Sequence, residues 1–307
     1  HTEVHVEWWR ETDEMSSLAR PPLDLNVCLQ VATAAAVDAG SLILEATTEG
    51  FTTEVKGAND LVTEIDHAVE NFIIKALTAS FPDIPIVGEE TSGDASQGDL
   101  PEDGPCFIID PVDGTNNFVC GMNMSVILIG MALNREPVLG VIYNPFTQEL
   151  LTAVSGQGAT CNGSPIRVSD RCALSEATVL TNIPADRSAE RCTTVLGQIS
   201  ALMKHPARGV RMLGSAGLSL SMVAMGRSEV FYENGVKSWD MCAGAVIVRE
   251  AGGCVLDPSG EKFDLTSRRI LAANSLALAQ EMVAVLDDEP PTRPSTPPGD
   301  MEPYTPS

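Results

Sequence analysis

Positive charge is scarce in this chain: 19 Lys and Arg stand against 42 Asp and Glu, a net charge of −23. Such a balance argues against nucleic acid backbones and anionic membranes as partners. The histidines, His1, His5, His67 and His205, share no motif, which leaves little material for histidine chemistry. None of the eight cysteines forms a Cys-x-x-Cys pair, so neither a zinc cluster nor a redox dithiol is indicated. Several lie in apolar or Ala/Gly-rich contexts, as reduced core thiols of a cytosolic protein do. No apolar run approaches the roughly 18–20 residues that span a bilayer. Residues 27–46 do not make a signal peptide, because Asp38 and Glu45 interrupt them and no basic flank precedes them. No internal repeat is present. The chain opens on His1 rather than Met, as a fragment or processed product would.

What is present is a soluble globular pattern, 44% hydrophobic over 307 residues, enough for one large core or two modest ones. Residues 1–23 are polar and acidic and read as an extension outside the fold. Asp24 caps a helix expected to reach about Ala46, with Leu25, Cys28, Leu29, Ala32, Ala36, Ala39 and Ile43 at helical spacing. A strand is expected over 51–56. Thr63-Glu64-Ile65-Asp66 has capping-box form and opens a second helix. A short strand over 84–87 delivers Gly88-Glu89-Glu90, and the acidic loop 91–105 reads as mobile. Residues 125–132, 138–143 and 150–154 read as an antiparallel meander. From about Val179 short strands and helices alternate, and Gly252-Gly253 stops the helix that starts at Trp239-Asp240. The expected division is an N-terminal α+β half over 24–178, a C-terminal α/β half over 179–286, and a disordered Pro-rich tail over 287–307.

The densest chemistry lies in Phe107-Ile108-Ile109-Asp110-Pro111-Val112-Asp113-Gly114-Thr115-Asn116-Asn117-Phe118. A buried strand is expected to end at Asp110, with Pro111 restricting the turn that follows. That turn can bring both carboxylates to one side with the Val112 carbonyl between them, a donor set of the kind Mg²⁺ takes. The amides of Gly114 and Thr115 would then open a helix, where phosphate is favoured. Each acid also has a plainer reading: Asp110 and Asp113 as turn formers, Glu89-Glu90 as solvated acids, Asp240 as a helix cap. Jointly, acids at strand ends and helix starts suit a two-metal hydrolase.

Gly88-Glu89-Glu90, the run from Asp110 to Phe118, and Trp239-Asp240 leading to Glu250-Ala251-Gly252-Gly253 together resemble the inositol monophosphatase family. That family belongs to the lithium-sensitive, Mg²⁺-dependent phosphatases, and the resemblance spans about residues 25–286. It implies an αβαβα layered fold, a homodimer, and Mg²⁺-dependent hydrolysis of a phosphate monoester, inositol 1-phosphate foremost. By motif, Glu89, Asp110, Asp113, Asp240 and the Val112 carbonyl are implied metal ligands. Gly114 and Thr115 are implied at the phosphate, with the Thr115 hydroxyl and Glu89 orienting the attacking water. Asp66 either helps polarise that water or caps its helix, and Lys56 resembles a basic residue near this loop but also suits solvent. Gly214, Ser215 and Ala216 resemble the Gly-Thr-Ala segment that faces the inositol ring, while Glu233 resembles the acid that accepts ring hydroxyls.

Departures begin at Asn182-Ile183-Pro184-Ala185-Asp186, where animal members carry a serine that touches substrate. L-Galactose 1-phosphate and histidinol phosphate therefore stand as alternative substrates. A rival motif, Cys161 to Arg167 in the Cys-x5-Arg spacing of cysteine phosphatases, has Pro165 where an amide is needed and no helix after Arg167. Aspartyl-phosphate enzymes space their acids Asp-x-Asp rather than Asp-x-x-Asp. A non-catalytic metal- or phosphate-binding scaffold is the remaining alternative.

Overall fold

The computed structural model describes residues 23–57, 60–92, 100–184, 186–205 and 207–287. All but the last residue of the expected N-terminal extension, all but the first residue of the tail, and residues 93–99 of the acidic loop lie outside the described residues, as do Ala185 and the side chain of Lys56.

Helix α1 (Leu25–Glu49) starts where the Asp24 carboxylate accepts the Asn26 amide at 2.9 Å. Strands β1 (Thr53–Gly57) and β2 (Asp60–Thr63) form a small antiparallel pair leading into helix α2 (Glu64–Ser80). The capping box at Thr63 is present, with Asp66 as its return acceptor. Strand β3 (Ile86–Gly88) runs into the short α3 (Glu89–Ser92), then β4 (Pro105–Asp113) into α4 (Thr115–Val119). The meander follows as β5 (Val126–Leu133), β6 (Glu136–Asn144) and β7 (Glu149–Val154), extended by β8 (Ala159–Cys161) and β9 (Ser164–Pro165). These make a seven-stranded sheet in order β3-β4-β5-β6-β7-β8-β9, parallel only between β3 and β4.

The second part contributes β10 (Thr178–Leu180), α5 (Ala189–Lys204), β11 (Gly209–Arg211), α6 (Ala216–Ala224), β12 (Val230–Asn234), α7 (Ser238–Glu250), β13 (Cys254–Leu256), β14 (Arg269–Ala273) and α8 (Leu276–Leu286). Its five-stranded sheet has the order β11-β10-β12-β14-β13. The sequence reading did not pick out β13 and β14. They are short, and the pairing of β14 with β12 and of β13 with β14 is settled across intervening chain rather than by local alternation.

Side-chain alternation sorts the layers. Phe107, Ile109, Ile127, Ile129 and Val141 face α1 and α2, in one cluster with Ala32, Ala36, Ile43 and Ile73. Ile108, Leu128 and Ile142 face the other way, against Leu220, Met241 and Val246 of α6 and α7. That same middle layer meets Phe231, Ile270 and Ala272 of the second sheet. Val179, Val230, Tyr232 and Leu271 point outward to Leu202, Leu278 and Met282 of α5 and α8. The result is the expected αβαβα order. Helix α7 is buried on nearly every side, as a helix between two sheets must be.

Helix α1 corrects one expectation: by length and mean hydropathy (1.7 over its most apolar window) it could cross a membrane. Here Cys28, Ala32, Ala36, Ala39 and Ile43 are fully buried against α2 and the first sheet, as in a core helix.

Close approach of α7 to the first sheet depends on missing side chains. A Cβ on Gly130 would lie 2.6 Å from Cys242 Sγ, and one on Gly140 would strike the Ala243 carbonyl oxygen. Backbone cannot swing aside as a side chain can. Gly140→Ala should therefore cost about 1–3 kcal/mol. At Gly209 the added atom would meet only the end of the Arg211 side chain. Gly209→Ala should stay within about 1 kcal/mol of the parent. Thermal melts of both variants check this, and equal melting temperatures would show that the layers give way readily.

Candidate active site

Strand β4 does not stop at Asp110 as expected. It continues to Asp113, with an irregularity in its pairing to β5 between those residues. On a regular strand, residues three apart face opposite sides. The irregularity inserts the extra step that returns Asp113 to the side of Asp110. Asp110 and Asp113, with 1% and 7% exposure, meet Asp240 from the first turn of α7. One carboxylate oxygen from each of the three lies within 4.8 Å of the others.

The surroundings hold each acid in place. Asp110 Oδ1 accepts the Val112 amide at 3.1 Å. Asp113 accepts the Ser215 hydroxyl at 2.6 Å and the amides of Gly217 and Ala216 at 2.5 and 3.2 Å, all at the start of α6. Asp240 accepts the Lys237 amide at 2.5 Å, so it caps its helix and joins the cluster at once.

Burial pushes Asp110 well above the usual carboxylate range, and repulsion from Glu89, then Asp113, Asp240 and Asp66, adds to it. Burial likewise lifts Asp113 to about 7, with Asp240 adding and the bonds from Ser215 and the α6 amides opposing. Asp240 is raised by burial too, against the Lys237 amide and a hydrogen bond with Asp110. Three acids at this spacing, two of them buried and Asp240 partly so, relieve their repulsion by taking up protons or a cation. An all-oxygen donor set fits a hard divalent ion.

Glu89 opens α3 beside this centre. Its position is held by a residue the sequence reading missed. Buried Glu70 accepts the amides of Glu90 and Thr91 at 2.8 Å each. A Cβ on Gly88 would lie 2.5 Å from that carboxylate, so a larger residue at the strand end would push Glu70 off these amides. The available signal was spacing: Glu70 lies one helical turn beyond Asp66 on α2.

Asp66 divides its carboxylate between two tasks. Oδ2 accepts the Thr63 amide at 2.8 Å and the Thr63 hydroxyl, closing the cap. Oδ1 faces Thr115 Oγ1 at 3.1 Å, and that hydroxyl lies 3.0 Å from the Val112 carbonyl oxygen. Both readings of Asp66 are thus compatible with its geometry. Gly114, with φ +91°, stands at the start of α4 and lets the chain pass 3.1–3.2 Å from the 214–215 turn, measured from where a Cβ would be.

At the far side Glu233 Oε2 accepts from Asn182 Nδ2 at 2.7 Å, and Asn182 Oδ1 accepts the Gly214 amide at 2.8 Å. Surrounding protein raises Glu233 to about 8, the Asn182 bond opposing and the charges of Asp240 and Asp113 adding. The Gly214, Ala216 and Gly217 amides are all engaged by protein acceptors. Asn182 and Asn117 had no assigned role from sequence, since an asparagine in a loop or a one-turn helix carries no periodic signal.

The rival cysteine motif is not built as a phosphate loop. Cys161 ends β8 and pairs with Ser164 across a hairpin, with Asn162 and Gly163 at φ +50° and +74°. Burial and nearby Glu149 raise its thiol, the opposite of what a nucleophilic thiolate needs.

Comparison with known proteins agrees with this architecture. The model of the inositol monophosphatase family matches residues 24–290. "Inositol monophosphatase 3" of Solanum lycopersicum is 43% identical over 248 residues, 80% of this chain and 92% of the relative. "Inositol monophosphatase 2" of Homo sapiens is 38% identical over 275 residues, 89% of this chain and 94% of the relative. The solved inositol monophosphatase of Anabaena superposes with a TM-score of 0.75 at 31% identity, covering 88% of this chain and 98% of that one. With the layered fold, the acidic centre and these relatives in agreement, the chain belongs to the inositol monophosphatase family and is a phosphatase.

Proposed function

We propose that this phosphatase hydrolyses inositol 1-phosphate, with Mg²⁺ as its cofactor. The observation that carries the reading is the meeting of Asp110, Asp113 and Asp240 beside the Gly114–Thr115 turn. Asp110, Asp113, Asp240, Glu89 and the Val112 carbonyl would hold the cations. When bound, the metal supplies Lewis acidity toward water and the phosphoryl oxygens.

The remaining work falls to this chain's own residues. Gly114 and Thr115 receive the phosphate at the start of α4. The Thr115 hydroxyl, set between Asp66 and the Val112 carbonyl, fixes the water's approach together with Glu89. Glu233 accepts hydrogen bonds from the hydroxyls of the polyol, while Gly214, Ser215 and Ala216 form the wall beside it. Because Asn182-Ile183-Pro184-Ala185-Asp186 departs from the animal pattern, L-galactose 1-phosphate and histidinol phosphate remain the alternative substrates.

The enzyme is proposed to act in the cytosol as a lithium-sensitive homodimer. All eight cysteines are free, which suits a reducing compartment. Ile183 and Leu196, 55% and 65% exposed, line one apolar recess of about 150 Å³, a surface suited to a second copy.

Two measurements test the reading. Asp113, raised to about 7, favours the fold in full below about pH 4, and that contribution is lost as pH rises through about 7. Mg²⁺ should therefore raise the melting temperature of the chelated protein more at about pH 8 than at about pH 6, where protons already relieve the cluster. Equal shifts at both pH values, or none, would count against metal binding by these acids.

The second separates chemistry from substrate choice. Asp110→Asn should lower kcat by about 100-fold or more on every substrate. Glu233→Gln should lower kcat/KM on inositol 1-phosphate by about ten- to a hundredfold and far less on glycerol 2-phosphate. Equal losses on both substrates for Glu233→Gln would place that residue in the metal centre or the fold.

A further inference from the structure

One peptide group, between Leu213 and Gly214, is held at both ends by carboxamides. Its carbonyl oxygen accepts from Asn117 Nδ2 at 2.7 Å, and its N–H donates to Asn182 Oδ1 at 2.8 Å. Asn117 belongs to α4, the element proposed to receive the phosphate, and also donates to the Met124 carbonyl at 2.9 Å. Asn182 follows β10, and its other end donates to Glu233 at 2.7 Å. Both asparagines are at least nine-tenths buried.

These bonds leave little freedom. With Oδ1 facing the Gly214 N–H, the Asn182 amide must turn Nδ2 toward Glu233, so one contact dictates the other. Gly214 itself sits at φ +74°, where a Cβ would lie 2.9 Å from Asn117 Oδ1. The turn is therefore clamped on the α4 side by packing as well as by hydrogen bonding.

We infer that Asn182 is a positioning residue for substrate selectivity, its carboxamide tying Glu233 to the Leu213–Gly214 peptide that Asn117 holds from the phosphate side. The tie sets the span between the phosphate turn and the hydroxyl-accepting carboxylate. It also occupies Glu233 Oε2, leaving Oε1 for the ligand. Substrates whose hydroxyls stand at that span from the phosphorus, as on a six-membered polyol ring, are favoured over shorter ones. This rests on the proposed role of Glu233.

The test is a double-mutant cycle on Asn182→Ala and Glu233→Gln, with kcat and KM measured on inositol 1-phosphate and glycerol 2-phosphate. Asn182→Ala should reduce the ratio of the two kcat/KM values by about tenfold, mostly through KM on the inositol substrate. Adding Asn182→Ala to Glu233→Gln should change that ratio little further, because both act at one contact. A ratio within about twofold of wild type in Asn182→Ala, or losses that multiply in the double variant, overturns the inference. Asn182→Asp keeps the acceptor for Gly214 but removes the donor to Glu233, and it too should lower the ratio. Wild-type selectivity in that variant would overturn the tie to Glu233. If Glu233→Gln alone leaves the ratio unchanged, the polyol role of Glu233 is what fails. The tie is then read without substrate, from hydrogen exchange at the Gly214 amide. Faster exchange in Asn182→Ala sustains it, and unchanged exchange removes it.

Discussion

Like charges crowded together, two of them out of reach of water, are the constraint on which this molecule turns. Asp110 and Asp113 come from one strand on either side of its irregularity and Asp240 from a distant helix, yet their oxygens meet within 4.8 Å. Left alone, such a cluster would repel itself apart. What opposes this is backbone: the amides of Val112, Gly217, Ala216 and Lys237 each donate to one of the three acids. The site is affordable only because α6 and α7 begin there, each presenting N–H groups that lack partners in their own helix. Packing of those helices between the sheets is thus part of the acidic centre.

A second assembly stands on α2. Asp66 and Glu70 lie one turn apart, and each carboxylate reaches across to another element. Asp66 engages Thr115 beside the bulged strand, while Glu70 holds the amides that follow Glu89. Helix α2 packs through Val69, Ile73 and Leu77 onto the first sheet, so its position is set by the core. The two groups proposed to orient the water are therefore placed by one rigid element rather than by the short helices that carry them.

Much of this was legible from residue order. Asp24 and Thr63 cap helices as their chemistry demands, since their side chains act on amides two or three residues away. The meander of β5, β6 and β7 followed from apolar stretches separated by turn residues. The motif acids stood out because Pro111, Gly114 and Gly88, residue types that restrict or free the backbone, stand beside them. Strands β13 and β14 did not, because a three- or five-residue segment owes its conformation to its partners. Glu70, Asn117 and Asn182 were equally silent, since each acts on a group 20 to 96 residues away.

By itself the sequence determined which side chains could carry oxygen ligands, where helices begin, and which faces are apolar. All of these are properties of neighbours within a few positions. Tertiary structure alone decided that Asp240 faces Asp110 and that Glu70 seats the turn bearing Glu89. It also decided that one asparagine spans Glu233 and Gly214. Those contacts join segments far apart in the chain. Only burial of the shared middle layer, with glycine at Gly130 and Gly140 letting α7 close on the sheet, brings them within hydrogen-bonding distance.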